Sequence, residues 1–170
     1  MNTRFSSLVV AAIGGVLLLL MGGTAIADDK GVDWNALNGA KTSLGKGFVA
    51  AQQKGKPISG KFEMDDGKLQ LSVYTANKGK FSEVIVDCQS GKITKTEAIK
   101  DADDLSHAAA QDKAMATTKT SLRAAADKAV AANTGYRAVS VVPSLEQGSP
   151  VALIVLENAA GTKTVSAKLN

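Results

Sequence analysis

The stretch Pro57 to Ile93 reads PISGKFEMDDGKLQLSVYTANKGKFSEVIVDCQSGKI. Ile58, Gly60, Phe62 and Met64 alternate with polar residues, and so do Leu69, Leu71 and Val73. Asp65-Asp66-Gly67 and Ala76-Asn77-Lys78-Gly79 are the polar, glycine-containing segments that turn a chain between strands. Phe81 to Asp87 continues the pattern as a third strand, and Ile93 to Thr96 adds a short fourth. Each run has one apolar and one polar face, as in an antiparallel sheet covered on one side. The region therefore predicts a meander whose apolar face needs a helix over it.

That helix is expected just upstream. Trp34, Leu37, Ala40, Leu44, Phe48 and Ala51 recur at spacings of three and four, with Asp33 placed as an N-cap. Gly39, Gly45 and Gly47 weaken it by about 1 kcal/mol each relative to alanine, so it depends on packing against something else. Downstream the order repeats. Ala108 to Ala132 is alanine-rich, with apolar residues at helical spacing, and Asn133-Thr134-Gly135 ends it. Tyr136 to Val142, Val151 to Glu157 and Thr162 to Leu169 read as strands, joined by Pro143 to Pro150 and by Asn158 to Gly161. Lys41-Thr42-Ser43-Leu44 recurs as Lys119-Thr120-Ser121-Leu122. The expectation is an α+β protein of two tandem units, each a helix packed on a three- to four-stranded antiparallel meander. The boundaries are a signal peptide over 1–27, a first unit over 28–99, an acidic linker over 100–105 and a second, divergent unit over 106–170.

The beginning of the chain points to export. Arg4 precedes an uncharged apolar run from Leu8 to Met21, and Ala25 and Ala27 place small residues where a signal peptidase cuts. Cleavage before Asp28 leaves no stable membrane insertion and a periplasmic or secreted product; the alternative is a retained anchor, since about 20 apolar residues span a bilayer. Without Arg4, 19 basic residues face 16 acidic ones, a net charge of about +3. The charges are interspersed and aromatic residues are few, which argues against nucleic acid as a partner.

Chemistry-bearing residues are sparse. Cys88 is the only cysteine, so no internal disulfide can form. It shares a strand face with Val84 and Val86, which favours a buried thiol over an intermolecular disulfide or a reactive group. His107 is the only histidine, which excludes a multi-histidine metal site. Lys100 to Asp104 reads as a linker or helix start; its carboxylates lack the spacing of a calcium loop. Asp65-Asp66 is turn chemistry rather than a catalytic pair. No serine sits in a nucleophile elbow, no phosphate loop appears, and no catalytic, cofactor or metal site is expected.

Pro57 to Ile93 resembles a PepSY domain, a small module of secreted-peptidase propeptides and of many exported bacterial proteins. The resemblance rests on the helix ahead of the strands, the Asp66-Gly67 turn, the strand from Lys68 to Thr75, and Val86-Asp87-Cys88-Gln89-Ser90-Gly91-Lys92-Ile93. It covers Leu37 to Ala98, and Met115 to Asn170 only in the order of elements. Cys88 stands where the family commonly has alanine, and the second half lacks the Asp…Gly-Lys ending. The resemblance implies a non-enzymatic interaction module, binding or restraining a peptidase or another envelope protein, with Asp66, Gly67, Asp87, Gly91 and Lys92 as structural motif residues and no cofactor. The alternative is a periplasmic protein that binds a small ligand or metal between the two halves.

Overall fold

The computed structural model describes residues 32–170, so the leader with Ala25 and Ala27 lies outside the described residues. Among the described residues the fold is α+β: one seven-stranded antiparallel sheet and four helices. In chain order these are α1 (Trp34–Gly39), α2 (Leu44–Ala51), β1 (Lys56–Asp65), β2 (Lys68–Asn77), β3 (Lys80–Val86) and β4 (Ile93–Ala98). Then come α3 (Ala102–Met115), α4 (Leu122–Ala131), β5 (Arg137–Glu146), β6 (Ser149–Asn158) and β7 (Gly161–Lys168). The strand order is β4-β3-β2-β1-β5-β6-β7. The sheet is continuous because β1 and β5 pair antiparallel at Gly60↔Val141 and Lys61↔Ser140.

The two hairpins that meet at the centre of this sheet, β1–β2 and β5–β6, correspond in length and register. β5 and β6 have the bounds of β1 and β2 displaced by 81 positions, and the same displacement carries the Asp66-Gly67 turn onto Gln147-Gly148. It also carries the register shift between Pro57 and Ser59 onto that between Ala138 and Ser140. Gly60 pairs with its own equivalent, Val141, so a local twofold axis runs through that pair. The helical repeats obey the same logic. Ser43 caps α2 through Lys46 N and Ser121 caps α4 through Ala124 N. The amides of Lys41 and Thr42 both donate to Cys88 O, and those of Lys119 and Thr120 both donate to Leu169 O.

Three expectations are corrected. The single helix over Trp34 to Ala51 is two helices, because Ser43 caps a new start and the amides of Lys41 and Thr42 turn aside to Cys88. Ala108 to Ala132 likewise divides at residues 116–121, with α3 beginning at Ala102. Of the two readings of Lys100 to Asp104, linker or helix start, the structure has the helix start: Asp101 Oδ1 accepts from Asp103 N and Asp104 N, spending its carboxylate on a cap. Finally, Pro143 to Pro150 is mostly strand. Pro143 pairs with Ala152 inside β5, beyond the short β1–β5 ladder, where a missing amide interrupts no ladder on the β1 side.

The core lies on one face. Phe48 and Leu44 of α2 and Leu122 and Ala126 of α4 are buried with Phe62, Leu71, Val73, Val84, Val141, Ile154 and Leu156. The glycines that weaken α2 are its points of closest approach. A Cβ at Gly47 would collide with Leu71, and one at Gly45 would lie 2.7 Å from Asp127 Oδ1 of α4. The opposite face is covered by α3, through a smaller cluster of Ile58, Tyr74, Ala76 and Ala108 and a 2.6 Å bond from Ser59 Oγ to Gln111 Oε1. Alternation along the strands places Ser59 and Tyr74 behind the sheet when Gly60 and Val73 face α2.

Candidate functional site

The family-like motif is part of the scaffold. Asp66 and Gly67 occupy the positive-φ positions of the β1–β2 turn, at 46° and 74°. Asp87 Oδ1 accepts from Gln89 N at 3.2 Å and from Ser90 N and Ser90 Oγ at 2.6 Å each. These bonds hold its carboxyl below the usual aspartate value, the Ser90 hydroxyl contributing most. Gly91 N donates to Asp87 O, Lys92 O accepts from Asp87 N, and Gly91 turns at φ 71°. The two consecutive carbonyls at the start of this turn accept from the α1–α2 connection: Asp87 O from Thr42 Oγ1, and Cys88 O from Lys41 N and Thr42 N. Asp87 to Lys92 therefore closes the meander and fastens the α1–α2 connection to it. Arg137 secures the same connection from the other half, donating to Asn38 O, Ala40 O and Thr42 O at 3.4, 2.9 and 3.3 Å.

Cys88 is buried, 7% exposed, as expected, but β3 ends at Val86 and Cys88 lies in the turn that follows, not on the strand itself. Burial, with the nearby Asp87 charge, pushes its thiol up to about 11, so it is protonated and a poor nucleophile at neutral pH. His107 lies exposed on α3. Among the described residues no group of three or more His, Cys, Asp or Glu is placed to hold a metal ion.

A polar cluster that sequence reading missed occupies the face behind the sheet, outside α3. Ser72 Oγ donates to Glu63 Oε1 at 2.5 Å, Gln70 Nε2 donates to Ser72 Oγ at 3.0 Å, and Lys61 pairs with Glu63 at 2.7 Å. Next to them Tyr74 Oη donates to Glu83 Oε1 at 3.2 Å. Burial, aided by the negative charge of Glu83 and Glu63, raises the Tyr74 phenol far above its usual range, and burial also raises the Glu83 carboxyl. The signal in the sequence is the polar face of the strand alternation, which the expectation of a sheet covered on one side leaves without a partner. In the fold its carboxylates and hydroxyls satisfy one another, and no buried side-chain polar atom among the described residues lacks a partner.

The surface of the described residues also carries shallow concavities. One, of about 260 Å³, lies between α2, α4 and the start of β5 and is lined by Leu44, Gly45, Ala126, Val130, Tyr136 and Ala138. Another, about 420 Å³, is a polar hollow beside Asp65, Gln70, Ile85 and Cys88. Among the described residues the sheet also ends in two free edges, β4 and β7, and both strands are mostly exposed. They are not equivalent. In the first half β4 pairs along β3, whereas no described strand pairs along the matching edge of β7.

No protein-family model matches the chain. No curated protein matches it. Among solved structures it is similar to a presumed lipoprotein from Clostridium difficile 630, with a TM-score of 0.41 and 14% identity, covering 72% of this chain and 81% of the other. No helix among the described residues is long and apolar enough to cross a membrane.

Proposed function

We propose that this chain is an exported, non-enzymatic interaction module of PepSY-like design, built from two tandem units fused into one sheet, that binds or modulates a peptidase or another cell-envelope protein. The observation that carries the reading is the free edge of β7. The first half completes its meander with β4, and in the second half no described strand occupies the same edge across its eight residues, Gly161–Lys168. An extended segment of a partner, seated there, supplies the strand that the first half has in β4; main-chain bonds give affinity and alternate side chains give selectivity. The 81-residue correspondence and the repeated Lys-Thr-Ser-Leu caps support the tandem origin, and the apolar leader supports export. A photo-crosslinking side chain at Thr164, in cells, yields adducts with a peptidase or other envelope protein on this reading. Purified protein that inhibits no peptidase, together with no partner adduct from Thr164, refutes it.

The apolar groove between α2 and α4 favours a second reading, a small ligand held between the halves. Its volume of about 260 Å³ falls just under the roughly 300–1,000 Å³ of typical ligand sites, which keeps the interaction module ahead. A thermal-shift screen with metals, haem and peptides that leaves the melting curve unmoved removes the ligand reading.

A further inference from the structure

The other free edge carries a different pattern. β4 reads Ile93-Thr94-Lys95-Thr96-Glu97-Ala98, with Lys95 exposed, Glu97 partly exposed, and the two paired to each other at 2.8 Å. Ile99 N donates to Phe81 O, and an antiparallel ladder alternates at every second residue. Glu97 therefore turns its amide toward β3, and Thr96 and Ala98 turn theirs outward. A second β4 laid antiparallel against the first, with Thr96 opposite Thr96, aligns the outward amide and carbonyl of each Thr96 with those of its counterpart. The same register puts Lys95 of each copy opposite Glu97 of the other, in the close, non-hydrogen-bonded pair.

Neighbouring registers fail on charge: centring on residue 95 sets lysine against lysine, and centring on 97 sets glutamate against glutamate. Inside the protomer Glu97 already lies opposite Glu83 across the β3–β4 ladder. Like charges directly opposite destabilise a sheet, and a second Lys95 on the outer side of Glu97 offsets that repulsion. β7 has no such complementarity. Its charged residues are Lys163 and Lys168, with no acid, which is the usual way an edge is protected against self-pairing.

We infer that β4 is a self-association edge: two copies of this chain pair β4 to β4 about a twofold axis at Thr96, with two reciprocal Lys95–Glu97 pairs, forming a sheet of fourteen strands. This goes beyond the partner reading above and does not depend on it, since β7 stays free in the dimer.

The test uses the protein as exported and processed by its host, its mass followed by sedimentation and native mass spectrometry over a concentration series. The wild type is a reversible dimer that weakens as salt rises. Lys95→Glu gives an edge with two acids and Glu97→Lys an edge with two bases; each self-associates roughly tenfold or more weakly, because both reciprocal pairs become repulsive. Mixed in equal amounts, the two variants form a heterodimer of intermediate mass, and the double swap of both residues restores the homodimer. Circular dichroism of each variant reports folding, and Thr96→Pro, which removes the outward amide, serves as an independent disruptor. A wild type that is monomeric at every concentration overturns the inference. So does a dimer indifferent to both single substitutions and to Thr96→Pro, or single variants that fail to pair when mixed.

Discussion

Gly60→Ala destabilises this protein in its native core and stabilises it once Phe48 is made smaller. Gly60 lies at the seam of the sheet, paired with Val141, and Phe48 of α2 lies across it. A Cβ at Gly60 would stand 2.8 Å from Phe48 Cε1, 3.2 Å from Phe48 Cζ and 3.3 Å from Ser72 O. Carbons rest at roughly 3.5–4.0 Å, so the ring must retreat by about 0.7 Å. Phe48 is 1% exposed, so its retreat is into the core and not into solvent. Overpacking of this kind costs about 1–3 kcal/mol. Against it stands the reduced entropy of the unfolded chain, about 0.4–1 kcal/mol for glycine to alanine. The net expectation is a loss of about 0.5–2 kcal/mol.

In a Phe48→Leu background the ring edge is gone, the new methyl group fills vacated space, and Gly60→Ala contributes about 0.5 kcal/mol of stability. Urea unfolding followed by circular dichroism and Trp34 fluorescence gives all four corners of the cycle. Equal effects of Gly60→Ala in the two backgrounds would refute the packing argument. The second half already shows the inverse solution. The position equivalent to Gly60 is Val141, and the residue equivalent to Phe48 on α4, counted from the shared Lys-Thr-Ser-Leu, is Ala126.

Two further outcomes concern titratable groups. The folded-state pKa of Glu83 is raised, chiefly by burial, so the fold holds its proton more tightly than the unfolded chain does. The penalty of the ionised form is fully present above the folded pKa and is relieved as pH falls through it. Glu83→Gln, which keeps an acceptor for Tyr74 Oη, therefore raises the melting temperature at pH 7, and the gain shrinks as the pH drops toward the acid range. Cys88 should alkylate slowly with iodoacetamide in the native protein at pH 7.5 and rapidly in urea, and should run as a monomer on a non-reducing gel; fast native labelling contradicts its burial.

The meander was legible because its signals are local. Leu69, Leu71 and Val73 alternate against Lys68, Gln70 and Ser72, and Asp66-Gly67 and Lys78-Gly79 take the left-handed turn conformations their residue types allow. Helix breaks were harder to see. Leu37, Leu44 and Phe48 all belong to the same core, so the apolar spacing runs on across Ala40 to Ser43, while the event that stops α1, two amides donating to Cys88 O, is a contact 46 and 47 residues away in the chain. Pro143 looked like loop because proline disrupts ladders, and only the end of the β1–β5 pairing makes it harmless there. The join between halves rests on a ladder of two residue pairs, which leaves no trace in either strand's own pattern. The site was legible only as a scaffold. Asp87, Gly91 and Lys92 form the turn expected of them, whereas the polar cluster of Lys61, Glu63, Ser72 and Glu83 assembles from three strands.

β4 and β7 are the free edges only if the halves share one sheet through Gly60 and Val141. The most direct measurement places cysteines at Lys61 and Ser140, which face each other across that join, in a protein carrying Cys88→Ala. On mild oxidation the pair closes to a disulfide, read as a loss of two hydrogens by mass and as a gain of about 2–4 kcal/mol in stability. If both thiols stay free in folded protein, while a control pair at Glu63 and Gln70 of the β1–β2 hairpin closes under the same conditions, the halves do not share a sheet in this register.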